Sequence, residues 1–131
     1  MKSLIPLALG LALAATTTFA NPPLRDVTRI SEGLIVAGMA IELGDKCDGV
    51  STRIIRGLNF LQGLKNHASD LGYSDAEIDA YVNDRAEKAR LEVIARGRLA
   101  DLGVIADDPA SYCTVARAQI AAGTQVGQLL R

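Results

Sequence analysis

The chain has no tryptophan, one histidine and two cysteines in 131 residues. A lone histidine, His67, set among Lys65, Asn66 and Ser69, cannot build a metal centre without partners, and no HExxH, paired-cysteine or histidine-carboxylate spacing supplies them. The same scarcity excludes the familiar nucleophilic triads: there is no GxSxG elbow, and no serine has an identifiable histidine partner. Neither charge is in excess, with 14 basic against 15 acidic side chains. The basic surplus that gives phosphate-dependent affinity is therefore missing, and a dedicated nucleic-acid binder is not expected. No run of about 20 apolar residues is present to span a bilayer. Internal repeats and low-complexity tracts are absent too, and nothing calls for a cofactor.

What is present begins with an export signal. Lys2 supplies a positive start, Leu4 to Ala15 an almost unbroken apolar run, and Thr18-Phe19-Ala20 a small-x-small cleavage site. Cleavage after Ala20 leaves a chain starting at Asn21, so residues 1–20 are read as a signal peptide and 21–131 as one domain, periplasmic or secreted. Since Lys2 is the only charge removed, 13 basic and 15 acidic groups remain, a formal charge of −2. Asn21 rather than cysteine follows the cleavage site, which argues against a lipid anchor. In an oxidising compartment Cys47 and Cys113 are expected to form one disulfide. Thiol-disulfide exchange and free thiols are the alternatives, but exchange chemistry places its thiols two residues apart, and these lie 66 apart.

Hydrophobic spacing predicts an all-α bundle of about four helices. The first starts between Pro23 and Asp26 and ends near Gly44; Val27, Ile30, Leu34, Ala37, Gly38 and Ile41 form its stripe, and Ile35, Val36, Met39 and Leu43 make its other faces apolar. Such a helix belongs at the centre of a core. The second runs from about Ser51 to Asp70, with Ile54, Leu58, Leu61, Leu64, Ala68 and Leu71 on its buried side and Gly72 as its stop. Ser74-Asp75-Ala76-Glu77 is a capping box that opens a third helix. That helix is read through to Leu102, with Ile78, Val82, Ala86, Ala89, Val93 and Leu99 inward and the pairs Asp84 with Lys88 and Glu92 with Arg96 outward. The fourth opens at Asp107-Asp108-Pro109 and carries Tyr112, Ala116 and Ile120, extending toward Val126 and Leu130 past Gly123 and Gly127. Nothing reads as strand. In this order the disulfide would clamp the ends of the bundle.

Reactive constellations are sparse. Asp75, Glu77 and Asp79, like Asp107 and Asp108, cluster at helix starts, where acids cap and meet the favourable end of the dipole rather than act as a glycosidase pair. Asp45 to Gly49 lacks the twelve-residue calcium loop and its final glutamate. Seven glycines inside proposed helices (Gly33, Gly38, Gly57, Gly63, Gly97, Gly123 and Gly127) cost about 1 kcal/mol each relative to alanine, so each implies either close helix packing or a ligand groove.

Several strings resemble a family of short exported alphaproteobacterial proteins catalogued only as a domain of unknown function: Pro23-Leu24-Arg25, Gly33-Leu34, Cys47, Leu64-Lys65, Gly72 through Ile78, Ala86 through Arg90, Ser111-Tyr112-Cys113 and Gly127 through Leu130. The resemblance implies periplasmic placement and helical structure and brings no catalytic residues. The leading expectation is a non-enzymatic periplasmic module that binds an envelope protein or other envelope component, through Tyr112, Arg117, Gln119, Gln125 and Gln128 at the disulfide end. A small-molecule carrier with a cavity between the first two helices is the second reading. An enzyme of unfamiliar type, recognisable by a perturbed carboxylate in a cleft, is the third.

Overall fold

The computed structural model describes residues 20–131, so the expected export signal and its apolar run lie outside the described residues. A single 3-10 turn, Leu24–Asp26, follows Pro22-Pro23 and leads into α1, Thr28–Lys46. Then come α2 (Ile54–Asp70), α3 (Asp75–Val82), α4 (Arg85–Asp101), α5 (Pro109–Ala122) and the one-turn α6 (Gln125–Gln128). The described residues form no sheet. One antiparallel bridge, between Thr52 and Leu130, joins the segment before α2 to the C-terminal residues; Ser51 and Arg131 exchange both backbone hydrogen bonds at 2.9 Å.

The capping box is present as the sequence implies: the Glu77 amide donates to Ser74 Oγ at 3.1 Å, and the Ser74 amide donates to the Glu77 carboxylate at 2.7 Å. The long third helix is not. It ends at Val82, and Asp84 begins a new one by accepting the Glu87 amide at 3.1 Å. Asp84 is thus a cap rather than half of a surface pair with Lys88, whereas Glu92 and Arg96 do pair at 3.3 Å. The break re-phases the helix from Ala86 to Val93, while Ile78 before it and Leu99 near its end are buried as their spacing implies. Glu87, Leu91, Ala95 and Leu99 face inward at four-residue spacing, while Val82, Ala86, Ala89 and Val93 are exposed.

The fourth expected helix is also divided. Gly123 takes the left-handed conformation (φ 64°) that ends α5, and Thr124 caps α6 by accepting the Gly127 amide at 3.0 Å. Val126 and Leu130 still reach the core, as their spacing implies, and Leu129 joins them. α1 is the hub and packs against α2, α4, α5 and α6. The main core gathers Ile35, Met39 and Leu43 of α1 with Leu91, Leu99, Val115 and Leu130, and the Cys47–Cys113 disulfide pins α5 to the end of α1. A smaller cluster of Leu24, Ile30, Leu64, Ala68, Tyr73 and Ile78 ties the N-terminal turn to α2 and α3, with the Tyr73 hydroxyl donating to the Pro22 carbonyl.

Candidate functional site

α2 runs antiparallel to α1. Leu64 lies on Gly33, so close that a Cβ on that glycine would be 2.6 Å from a leucine methyl carbon, and Thr52 lies on Gly44 at the other end. α4 packs on a different side of α1. Between them a strip of α1 is only partly covered: Leu34, Ala37 and Gly38 are half-buried, with Ala95 of α4 beside Gly38, and Ile41 is exposed. It is the floor of a groove of about 540 Å³. Leu61 of α2 forms one wall, Leu91 and Ala95 of α4 the other, and Tyr81 and Val82 of α3 stand at the edge. Large apolar side chains are open to solvent here, with Ile41 52% and Val82 65% exposed. The stripe expected to be the buried face of α2 continues this surface: Ile54 and Leu58 are 64% and 59% exposed, and helical spacing sets them in line with Leu61. Of that expected stripe only Leu64 and Ala68 are buried; Leu71 is exposed. Contiguous exposed apolar surface with a polar rim marks an interaction site more often than a solvated face.

The rim is charged: Glu42 and Asp45 on α1, and Lys88, Glu92 and Arg96 on α4. Glu87 lies deeper and is buried, 6% exposed. Arg90 clasps it through two hydrogen bonds of 2.6 and 2.9 Å, the Tyr81 hydroxyl donates to it at 3.2 Å, and Arg25 stands 4.0 Å away. The Arg90 hydrogen bonds, helped by Tyr81 and against the effect of burial, hold the Glu87 carboxyl below the ordinary glutamate range. Burial first, then the Glu87 charge, pushes the Tyr81 phenol up to about 12. Both groups are fixed in one protonation state at neutral pH, as a positioning network is, rather than poised to exchange protons. Across α1 and α4, Arg98 makes a two-pronged bond to Glu32 at 2.6 and 2.8 Å, which lowers the Glu32 pKa.

The residues singled out from sequence fall in several places. Tyr112 is buried in the core, 8% exposed. Arg117 is exposed and its guanidinium lies over Gly49. Gln119 accepts the Thr124 hydroxyl at 2.7 Å, and Gln128 donates to the Gly123 carbonyl at 3.0 Å, so both are engaged in the turn between α5 and α6. Gln125 is exposed beside a shallow depression with Val36 and Thr124. His67 is half-buried, with Arg29 3.5 Å from its Nδ1. Asp108 caps α5 through the Ala110 amide, while Asp107 takes a left-handed backbone, φ 63°. No group of three potential metal ligands occurs among the described residues.

No helix among the described residues is long and apolar enough to cross a membrane. A family model described as "Family of unknown function (DUF5333)" matches residues 22–131. No curated protein and no solved structure matches the chain.

Proposed function

We propose that this chain, which belongs to that family of unknown function, is an exported, non-enzymatic binding module whose working surface is the groove on α1 between α2 and α4. The observation that carries the reading is the partly covered apolar floor of Leu34, Ala37, Gly38 and Ile41 on α1, with Ile41, Leu61 and Val82 exposed around it. The groove is half open to solvent, with Ile41, Leu61 and Val82 exposed at it. A carried small molecule is normally enclosed over most of its surface, whereas a helix laid in a groove leaves one face in water. The occupant is accordingly an apolar helical segment, and the small-molecule carrier is the second reading. Catalysis is the weaker reading because the one buried carboxylate at the groove is held ionised by Arg90, opposite to what an acid catalyst needs. Export is supported by the signal-like first twenty residues and the disulfide.

A fluorescent helical peptide with leucines at i, i+4 and i+7 and lysines elsewhere tests the groove. It should bind the wild-type protein, bind Ile41→Glu and Leu61→Glu at least about tenfold more weakly, and bind Val93→Glu, exposed on another face of α4, like wild type. Equal binding to all four proteins, or none to wild type, overturns the assignment. Fractionation of cells expressing the full chain should find a species beginning at Asn21 in the periplasm; retention of Met1 in the cytoplasm would overturn the export reading.

A further inference from the structure

The two sulfurs of the bridge are not equally placed. Cys47, the residue after α1, is 1% exposed and lies inside the main core with Leu43, Val50 and Leu130. Its backbone is tied down as well: its amide donates to the Leu43 carbonyl at 3.1 Å, and its carbonyl accepts the Val50 amide at 3.2 Å. Cys113, in the second turn of α5, is half-buried and packs against that core rather than within it. Its neighbours on the helix surface, Ala110 and Arg117, are exposed. The Arg117 guanidinium reaches over to Gly49, two residues beyond Cys47, so a positive charge stands beside the bridge. Asp45, Lys46 and Asp48 are exposed at the same end, which leaves the local charge balanced and gives Arg117 its effect by proximity alone.

Access decides which sulfur of a disulfide reacts, because exchange requires a thiolate to reach the sulfur it attacks. A thiol buried among apolar side chains is also held in its neutral, unreactive form, whereas one near a helix start and a guanidinium is favoured as the thiolate. We infer that Cys113 is the site at which the folded chain exchanges disulfides with an outside partner, a dithiol reductant or its disulfide form, and that Cys47 is an internal partner that never meets it. In making the bridge, the Cys113 thiolate attacks one sulfur of the oxidant's disulfide, and the other sulfur leaves as a thiolate. The Cys47 thiol then gives its proton to solvent and attacks Cys113 Sγ, expelling the oxidant's remaining sulfur. The cysteine pair loses two electrons and two protons, and the oxidant's disulfide takes them up as two thiols. In opening the bridge, an incoming thiolate attacks Cys113 Sγ, and the electron pair of the broken bond goes to Cys47 Sγ. Both directions pass through one mixed disulfide, on Cys113.

Incubating the oxidised chain from Asn21 to Arg131 with reduced glutathione, quenching with acid and mapping the adduct by peptic digestion and mass spectrometry tests this. Glutathione should be found on Cys113 in at least about tenfold excess over Cys47, and the excess should vanish in urea. Arg117→Gln should slow the native reaction about threefold, the size of a surface charge contact, without changing where the adduct forms. In the single variants Cys47→Ala and Cys113→Ala, iodoacetamide should modify the remaining Cys113 at least about tenfold faster than the remaining Cys47. Circular dichroism checks that each variant is folded, and the wild-type adduct decides the matter should either fail that check. Comparable adducts on the two cysteines of the native protein, an excess on Cys47, or reduction that proceeds only at the rate of unfolding each overturns the inference. An Arg117→Gln rate equal to wild type overturns the role given to that side chain.

Discussion

Glycine-to-alanine substitution should have opposite signs at two helical glycines of this chain. At Gly127 an added Cβ would stand 2.0 Å from the Gln119 carbonyl oxygen, 2.3 Å from its carbon and 2.8 Å from the Ile120 nitrogen. All three are backbone atoms of α5, so no side-chain rotation relieves the clash; α6 has to move away by more than 1 Å, loosening Val126, Leu129 and Leu130 in the core. Overpacking of this kind costs on the order of 3 kcal/mol or more. At Gly97, exposed on α4, an added Cβ meets nothing within 4 Å, and only the helix preference for alanine remains, a gain of about 1 kcal/mol. For a domain of this size 1 kcal/mol corresponds to about 4 °C. Thermal unfolding followed by circular dichroism should therefore place Gly127→Ala about 12 °C below wild type and Gly97→Ala about 4 °C above it. Gly33→Ala should fall between, because its 2.6 Å clash is with a leucine methyl that can rotate. A Gly127→Ala protein within about 1 kcal/mol of wild type, or the same sign at both sites, would refute the account of why α6 lies against α5.

The Cys47–Cys113 bond closes a loop of 66 residues, so the double alanine variant should lose about 4 kcal/mol in urea unfolding on the chain-entropy model; a loss under about 1 kcal/mol would show that the pairing of residues 51–53 with 129–131 already constrains that end. Asp107→Gly should raise stability by about 1 kcal/mol, since aspartate there holds a left-handed backbone that glycine adopts freely; an unchanged melting temperature would count against strain at that turn. Glu87 and Glu32 have folded-state pKa values below the ordinary glutamate value, so their stabilisation is complete above that value and is lost as pH falls through the lower folded one. Glu87→Gln should flatten this acid loss in a urea series below about pH 5, and an unaltered slope would count against the Arg90 pairing. Tyr81 has the opposite linkage: its phenol keeps its proton up to about 12 in the folded state, so stability declines as pH climbs above 10. Tyr81→Phe should remove the late step from the phenolate absorbance titration.

Local signals in the sequence are legible where side chains speak to their own backbone. The capping box at Ser74, the Asp108-Pro109 start and the Gly72 stop of α2 all stand within a residue or two of their expected places. Asn83-Asp84 carries the same kind of signal, an acceptor followed three residues later by Glu87, but the apolar spacing from Ile78 onward runs through it without interruption. That spacing places Val82 at the end of α3 and Val93 in α4 inside, where both are exposed, although it places Leu99 correctly. With the helix restarted at Asp84, the inward line is Glu87, Leu91, Ala95 and Leu99, and a buried glutamate at its head is intelligible only once Arg90 and Tyr81 are seen to close on it.

The groove was illegible for a related reason. Periodicity tells that a face is apolar; it does not tell what covers it. The stripe of Ile54, Leu58 and Leu61 and the face of α1 around Ile41 each read as apolar and so as core, because one domain burying its own hydrophobic faces is the ordinary outcome. In a bundle whose third helix continued unbroken to Leu102, another packing of α4 could have covered both. The break at Asn83-Asp84 instead lets α4 lie on α1 without meeting α2 along its length, since those two helices share no substantial contact. The apolar residues that sequence reasoning assigned to the interior and that the structure exposes at this seam, Ile41, Leu58, Leu61 and Val82, therefore form one surface with one cause. That common origin ties the candidate site to the turn: Asp84→Ala together with Asn83→Ala, by favouring a continuous helix through α3 and α4, should alter groove binding before it alters the core of α1, α5 and α6 clamped by the Cys47–Cys113 disulfide.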